Sequence, residues 1–319
     1  MNAIENKKVL VTGASGFLGK HVVERLKQGN PEWIITPSHS ELDLLDTDSI
    51  YDMLGLYKPD IIIHLAAKCG GIGANQKSPG MFFYQNLKMG MELIEAAHFF
   101  NVGKFVQVGT VCSYPKYCPA PFKEDDIWNG YPEETNAPYG IAKKALLVQA
   151  QAYRQQYGFN AIYVVPVNLY GPGDNFDPSS SHVIPALIKK MMDAKDVGET
   201  NVSIWGTGRA TREFLYVKDA AEGIVLAAEK YDGADPVNLG NGMEISIEYL
   251  VHAVAHATGY HGEITYDTTK PDGQPRRLLD TNRALKEFGF EAKTPFIQGL
   301  KETVEWYETT GRNKQLSSL

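Results

Sequence analysis

Apolar residues in the first half of the chain fall in short unbroken runs. These are Val9-Leu10-Val11, Trp33-Ile34-Ile35, the stretch Asp60 to Ala67 around Ile61-Ile62-Ile63, Lys104 to Val108, and Ala161 to Val165. Runs of this length without polar alternation predict strands covered on both faces, as parallel strands are when they lie between helices. Between them the pattern becomes helical. An amphipathic helix is expected over about Lys20 to Lys27, and longer ones over about Phe83 to Phe100 and Ala137 to Tyr157. Strand and helix signals in alternation predict an α/β fold with a parallel sheet.

After Pro166 the rhythm breaks. Tyr170-Gly171-Pro172-Gly173-Asp174 and Pro178-Ser179-Ser180-Ser181 read as loops, and helices follow near Val183 to Met192, Ser246 to Thr258 and Phe296 to Glu308. The stretch Glu213 to Ala228, with Val237-Asn238-Leu239 behind it, is expected to return to the first unit. Two interleaved units result: residues 1–170 with about 213–242 as a dinucleotide-binding domain, and about 171–212 with 243–319 as a substrate-binding domain. No repeat or low-complexity linker separates them.

Composition narrows the function classes. With 319 residues and 43% hydrophobic content the chain has material for a large core. Its 31 Lys+Arg against 38 Asp+Glu, with no long basic run, speak against a nucleic-acid partner. An anionic substrate must then be met by a few placed cations. The polar start Met1 to Lys8 and the strand-length apolar runs predict neither a secretory signal nor a membrane span. Three cysteines (Cys69, Cys112, Cys118), without a CxxC or a Cys/His cluster, predict no metal and a reducing, cytoplasmic setting.

Chemistry enters with Gly13-x-x-Gly16-x-x-Gly19, placed between a strand and a helix. Glycines there let a pyrophosphate approach the backbone at a helix N-terminus, where free N–H groups favour anions. The spacing alone also fits an ordinary tight turn; the strand–turn–helix context points to a dinucleotide. The second strand ends in Thr36-Pro37-Ser38-His39-Ser40, with no acid at its end and Glu41 only later. Hydroxyls and a histidine favour NADP(H) over NAD(H), since an acid would hold the free 2′-hydroxyl.

Tyr139 and Lys143 lie four apart, on one face of the helix that follows the strand ending in Gly109-Thr110. A nearby ammonium lowers a phenol from its ordinary value of about 10, and Thr110 can supply a hydroxyl partner. Tyr84/Lys88 and Tyr266/Lys270 share the spacing, so placement between those strands selects Tyr139. Cys112, two residues beyond Thr110, lies where open α/β sheets put their ligands, although a lone cysteine is more often a small core residue. Cys69 and Cys118 read as structural or incidental.

Several longer stretches carry a specific resemblance. They are Ala66 to Asn75 (AAKCGGIGAN), Cys112-x-Tyr114-Pro115-Lys116, Asn168 to Phe176, Ser181-His182-Val183-Ile184-Pro185, Trp205-Gly206-Thr207-Gly208, Arg212-Glu213-Phe214 and Lys270-Pro271-Asp272-Gly273. Together they resemble the GDP-L-fucose synthases, a family of extended short-chain dehydrogenase/reductases. The resemblance implies a Rossmann-type doubly wound parallel sheet with a smaller, sequence-interleaved α/β substrate domain. It implies NADPH-dependent 3,5-epimerisation and 4-reduction of GDP-4-keto-6-deoxy-D-mannose.

Carried onto this sequence, the resemblance makes Tyr139 the reductase acid, Lys143 its ribose-binding neighbour, Thr110 the hydroxyl partner, and Cys112 with His182 the epimerisation acid/base pair. Which of the two is base stays open. Lys190, Trp205, Arg212 and Asp272 match substrate-binding positions. Cofactor contacts are implied at Gly13, Ser15, Gly16, Phe17, Leu18 and Gly19, at Ser38 and His39, and at Leu65, Ala66 and Ala67. Further along they fall on Val108, Gly109, Lys143, Pro166, Asn168, Leu169 and His182. Ser15 and His39 stand where some members have arginines around the adenosine phosphate. The alternative is a redox-neutral epimerase or a reductase-only relative acting on another GDP-sugar, such as a GDP-keto-heptose. Relatives of this kind commonly pair two long helices across a twofold axis, so surplus apolar residues on Phe83 to Phe100 and Ala137 to Tyr157 predict a homodimer.

Overall fold

The computed structural model describes residues 3–270 and 272–312. Six strands form one parallel sheet: β1 (Lys8–Thr12), β2 (Trp33–Ile35), β3 (Ile61–His64), β4 (Lys104–Val108), β5 (Ala161–Pro166) and, after an interval, the strand Val237–Leu239. Between β5 and that last strand come β6 (Asn168–Tyr170), β7 (Asn201–Trp205) and β8 (Thr211–Tyr216), so Val237–Leu239 is β9; β10 (Glu244–Ser246) and β11 (Glu263–Asp267) follow. The sheet runs β2-β1-β3-β4-β5-β9, every neighbour parallel. β3, β4 and β5 are buried along their whole length, which accounts for the unbroken apolar runs. This is the Rossmann-type doubly wound sheet expected from the sequence.

The helices are α1 (Phe17–Lys27), α2 (Thr47–Tyr57), α3 (Ile72–Lys77), α4 (Pro79–Phe99), α5 (Ala137–Tyr157), α6 (Val183–Val197), α7 (Val217–Lys230), α8 (Ile247–Thr258), α9 (Asn282–Phe288) and α10 (Phe296–Trp306). Against the sheet, α1 packs on α7, while α4 packs on α5 and α2. A second core joins Ile188 and Met191 of α6, Val251 and Val254 of α8 and Leu300 of α10 to Phe214 and Tyr216 of β8. Two small sheets flank it, β10-β8-β6 and β11-β7.

Of the stretch expected to return to the first unit, α7 and β9 pack in the first core, whereas Phe214 and Tyr216 lie in the second. Leu279, Ala284, Phe288 and Phe290 belong to the first core although they come late in the chain. The crossing is anchored by Glu213, whose buried carboxylate accepts the N–H groups of Asn241, Gly242 and Leu279 at 2.6, 2.7 and 2.7 Å. Among the described residues no helix is long and apolar enough to cross a membrane.

Candidate active site

The sheet order reverses between β1 and β3, because β1 is followed outward by β2 and β3 by β4. Ligands of open α/β sheets bind at such a point, beyond the carboxyl ends of the strands. Here the segments after β1 and β3 are tied together. The Thr12 hydroxyl meets His64 Nδ1 at 2.7 Å and accepts the Ala66 N–H at 3.3 Å. Burial, with Lys143 nearby, pushes His64 well below its ordinary value, so this imidazole is neutral and structural.

Gly13 follows β1 with φ +70°. A Cβ there would lie 2.8 Å from the Ala66 nitrogen, and one on Gly19 would lie 2.1 Å from the Gly13 carbonyl oxygen. The turn therefore lets α1 begin at Phe17, three residues before the helix expected from Lys20. Its N-cap, Gly16, brings no side chain to the first-turn N–H groups, which leaves them for an anion. A cavity of 400 Å³ lined by Ala14, Ser15, Lys20, Val23, Glu24 and Thr36 extends from this turn to the end of β2. Glycine turn, helix N-terminus and cavity fit a dinucleotide. Ser38 is less available than its sequence implied: its N–H and hydroxyl both donate to the Glu41 carboxylate, at 2.8 and 2.7 Å. His39 is exposed, 4.0 Å from Asp43.

Beyond β4 the backbone makes one tight turn, Val111–Ser113, whose Cys112 N–H donates to the Thr110 hydroxyl at 3.2 Å. The first turn of α5 lies directly on it. Ser113 donates its hydroxyl to the Gly140 carbonyl at 2.9 Å, and a Cβ on Gly140 would come within 2.2 Å of the Cys112 carbonyl oxygen. Tyr139, next to Gly140, is thereby held beside Cys112. One helical turn on, the Lys143 ammonium donates to the Val108 carbonyl at 3.1 Å, and burial lowers it to about 8. Leu65, Ala66 and Ala67 after β3, Val108 and Gly109 at β4, and Pro166, Asn168 and Leu169 at β5 and β6 end at this same edge.

The phenol departs from expectation in one respect. Tyr139 is raised well above its ordinary value, first by burial and then by Cys69, whose Sγ lies 3.5 Å from its hydroxyl. Lys143 is engaged at Val108, so the contact on the phenol is a thiol and not an ammonium. A phenol that keeps its proton at neutral pH is the form a proton donor needs. Cys69, taken from sequence as structural or incidental, is therefore at the site, while Cys118 stays apart from it, with its thiol turned to the Pro119 carbonyl.

His182 caps α6 without a side-chain bond to it. Its ring is accessible from the cleft yet closely hemmed by protein, and desolvation together with Arg277 lowers its pKa. The segment before it is held to the loop after β3, since Gly71 donates its N–H to the Ser180 carbonyl at 3.0 Å. Arg212 donates to the carbonyls of Thr211 and Asp272 at 2.7 and 3.1 Å. Burial and the neighbouring Arg277 lower it to about 9. Arg277 is itself buried, donating to Asn168 at 3.0 Å and Gln274 at 3.2 Å. A buried guanidinium, Arg277, beside the half-buried Arg212, neither in an ion pair among the described residues, creates a local demand for an anion.

Trp205, 64% exposed, is free to face a planar ligand and carries Lys270 at 5.6 Å from its ring centre. Asp272 accepts the Thr207 N–H and hydroxyl at 2.6 and 2.8 Å, and Lys190 donates to the Ser203 carbonyl. Pro271 of the same motif lies outside the described residues. Sequence reasoning missed Arg277, for which the only signal was a basic pair following that motif, and Gly140, which only the packing on Cys112 singles out. The spacing decoys fall elsewhere: Tyr84 is exposed on α4, and Lys270 serves Trp205.

A dinucleotide turn at the switch point, with a phenol, a thiol and an ammonium gathered beside it, defines an enzyme that moves protons and hydride at one carbon framework. A family model described as the NAD dependent epimerase/dehydratase family matches residues 9–240, and the chain belongs to that family. It is 41% identical over 305 residues to a GDP-L-fucose synthase of Sinorhizobium fredii, covering 96% of each chain. Among solved structures it resembles a GDP-L-fucose synthetase of Naegleria fowleri bound to NADP, with TM-score 0.88, 28% identity and coverage of 98% and 97%. A GDP-6-OMe-4-keto-L-xylo-heptose reductase of C. jejuni matches with TM-score 0.89, 27% identity and coverage of 95% and 98%.

Proposed function

We propose that this protein converts GDP-4-keto-6-deoxy-D-mannose to GDP-L-fucose by epimerising C3 and C5 and reducing C4 with NADPH, and that it does so as a homodimer. The observation that supports this reading is the packing of Gly140 on the Cys112 carbonyl, which brings the first turn of α5, with the Tyr139 phenol, against the turn that carries the Cys112 thiol. Full-length identity of 41% to a GDP-L-fucose synthase supports the substrate. NADP in the Naegleria structure supports the cofactor, together with the absence of an acid at the end of β2.

When bound, NADPH would supply the hydride for C4. The protein supplies the rest. A C4 ketone acidifies the hydrogens at C3 and C5, since the carbanion delocalises into an enolate. Cys112 and His182 exchange protons there, one removing and the other delivering from the opposite face. Tyr139 gives its proton to the C4 oxygen as the alkoxide forms, and Lys143 holds the ribose beside it. Arg212, with Arg277 behind it, meets the diphosphate; Trp205, Lys190 and Asp272 complete the nucleotide-sugar contacts.

Incubation with GDP-4-keto-6-deoxy-D-mannose tests the reading: one NADPH should be consumed for each GDP-L-fucose formed, and NADH should serve less well. The close fold match to a heptose reductase favours one other outcome. Reduction of a GDP-keto-heptose, with the 6-deoxy sugar left unturned, would assign the protein to that reaction instead.

A further inference from the structure

The Cys69 thiol touches the hydroxyl of Tyr139 at 3.5 Å from a different strand's loop, seventy positions away in sequence. The backbone on both sides of it is fixed. On one side the buried Asn86 accepts the Lys68 N–H at 3.0 Å and donates to the Lys68 carbonyl at 3.0 Å. On the other, the buried Asn75 donates to the carbonyls of Gly70 and Gly71 at 2.9 and 3.1 Å, and Gly71 is bonded to Ser180. Asn75 and Asn86 sit on α3 and α4, so two helices hold one loop residue in place. A side chain needed only to fill space would require no such hold, and Cys69 is exposed, so it fills none.

We infer that Cys69 is a positioning residue for the proton donor: its sulfur holds the Tyr139 hydroxyl where the C4 oxygen of the substrate arrives. This rests on the reductase reading of Tyr139 given above. Tyr139 has no other side-chain hydrogen-bond partner among the described residues, and Lys143 is bonded to Val108. Without the thiol, the phenol would lose the contact that fixes its hydroxyl before the ligands assemble. Cys112, on the turn after β4, is assigned in that reading to the C3 and C5 hydrogens, so the two thiols have separable tasks.

The test uses the full-length enzyme with Cys69→Ala, Cys69→Val and Cys69→Ser. For each, kcat and KM of reduction are measured, with NADPH affinity and the exchange of C3 and C5 hydrogens with solvent. Loss of one hydrogen bond should lower kcat about tenfold in the Ala and Val variants. KM, NADPH affinity and exchange should stay near wild type. Cys69→Ser, which keeps a hydrogen-bonding atom, should recover most of kcat. A packing role would give the opposite order, with Val recovering and Ser not. That order, or wild-type kcat in Cys69→Ala, overturns the inference. Failure of the underlying reading would show separately, as an unmutated enzyme that reduces nothing.

Discussion

In the proposed reaction Tyr139, in the first turn of α5, and Cys112, on the turn that α5 packs against, carry different protons, so their removal should have different consequences. Tyr139→Phe takes away only the hydroxyl. Reduction should fall by about 10²- to 10⁴-fold, the usual worth of a general acid, while NADPH binding and solvent exchange at C3 and C5 persist. Mass-spectrometric exchange beside a reduction assay reads both; reduction at the wild-type rate would move the role to another group. Lys143 gives a pH prediction. Its ammonium, lowered by burial to about 8, is charged below that pH and neutral above it. The kcat/KM for reduction should therefore decline as pH rises through about 8, and a profile flat to pH 10 would contradict this. The Tyr139/Lys143 spacing was legible in the sequence because a helix fixes it locally. Cys69 and Arg277 were not, because their partners are brought together only by tertiary folding.

At the scale of elements, the strand–turn–helix at the chain start depends on Gly19. A methyl group there would overlap the Gly13 carbonyl, forcing α1 away from the turn. Gly19→Ala should cost about 1–3 kcal/mol in stability, as overpacking does, and weaken NADPH binding together with both activities. Calorimetry and cofactor titration measure the two effects; unchanged affinity would mean that α1 can slide without cost. The parallel sheet was legible because unbroken apolar runs have few other uses. The start of α1 is poorly marked in the sequence because its N-cap is a glycine, with no capping side chain. The strands β6 and β10, three residues each, carry no apolar run that would mark them in a stretch rich in loops.

For the whole molecule, α4 and α5 pack against each other and still expose Met81, Tyr84, Met91, Phe99, Val148 and Tyr157. Closing the same helices of a second copy over these side chains would form a four-helix bundle across a twofold axis. Light scattering should give twice the 35.3 kDa chain mass; a monomer at every concentration would exclude the bundle. The two cores are joined by the Glu213 carboxylate, and the segment before His182 is bonded to the loop after β3; the proposed reaction needs the reduction and epimerisation groups to work on one bound sugar. Conversion of GDP-4-keto-6-deoxy-D-mannose with NADPH in deuterated water examines that arrangement most directly. The proposed reaction predicts GDP-L-fucose carrying solvent deuterium at C3 and C5 and none at C4. A reduced sugar without label at C3 and C5, or labelled sugar formed without consumption of NADPH, would contradict it.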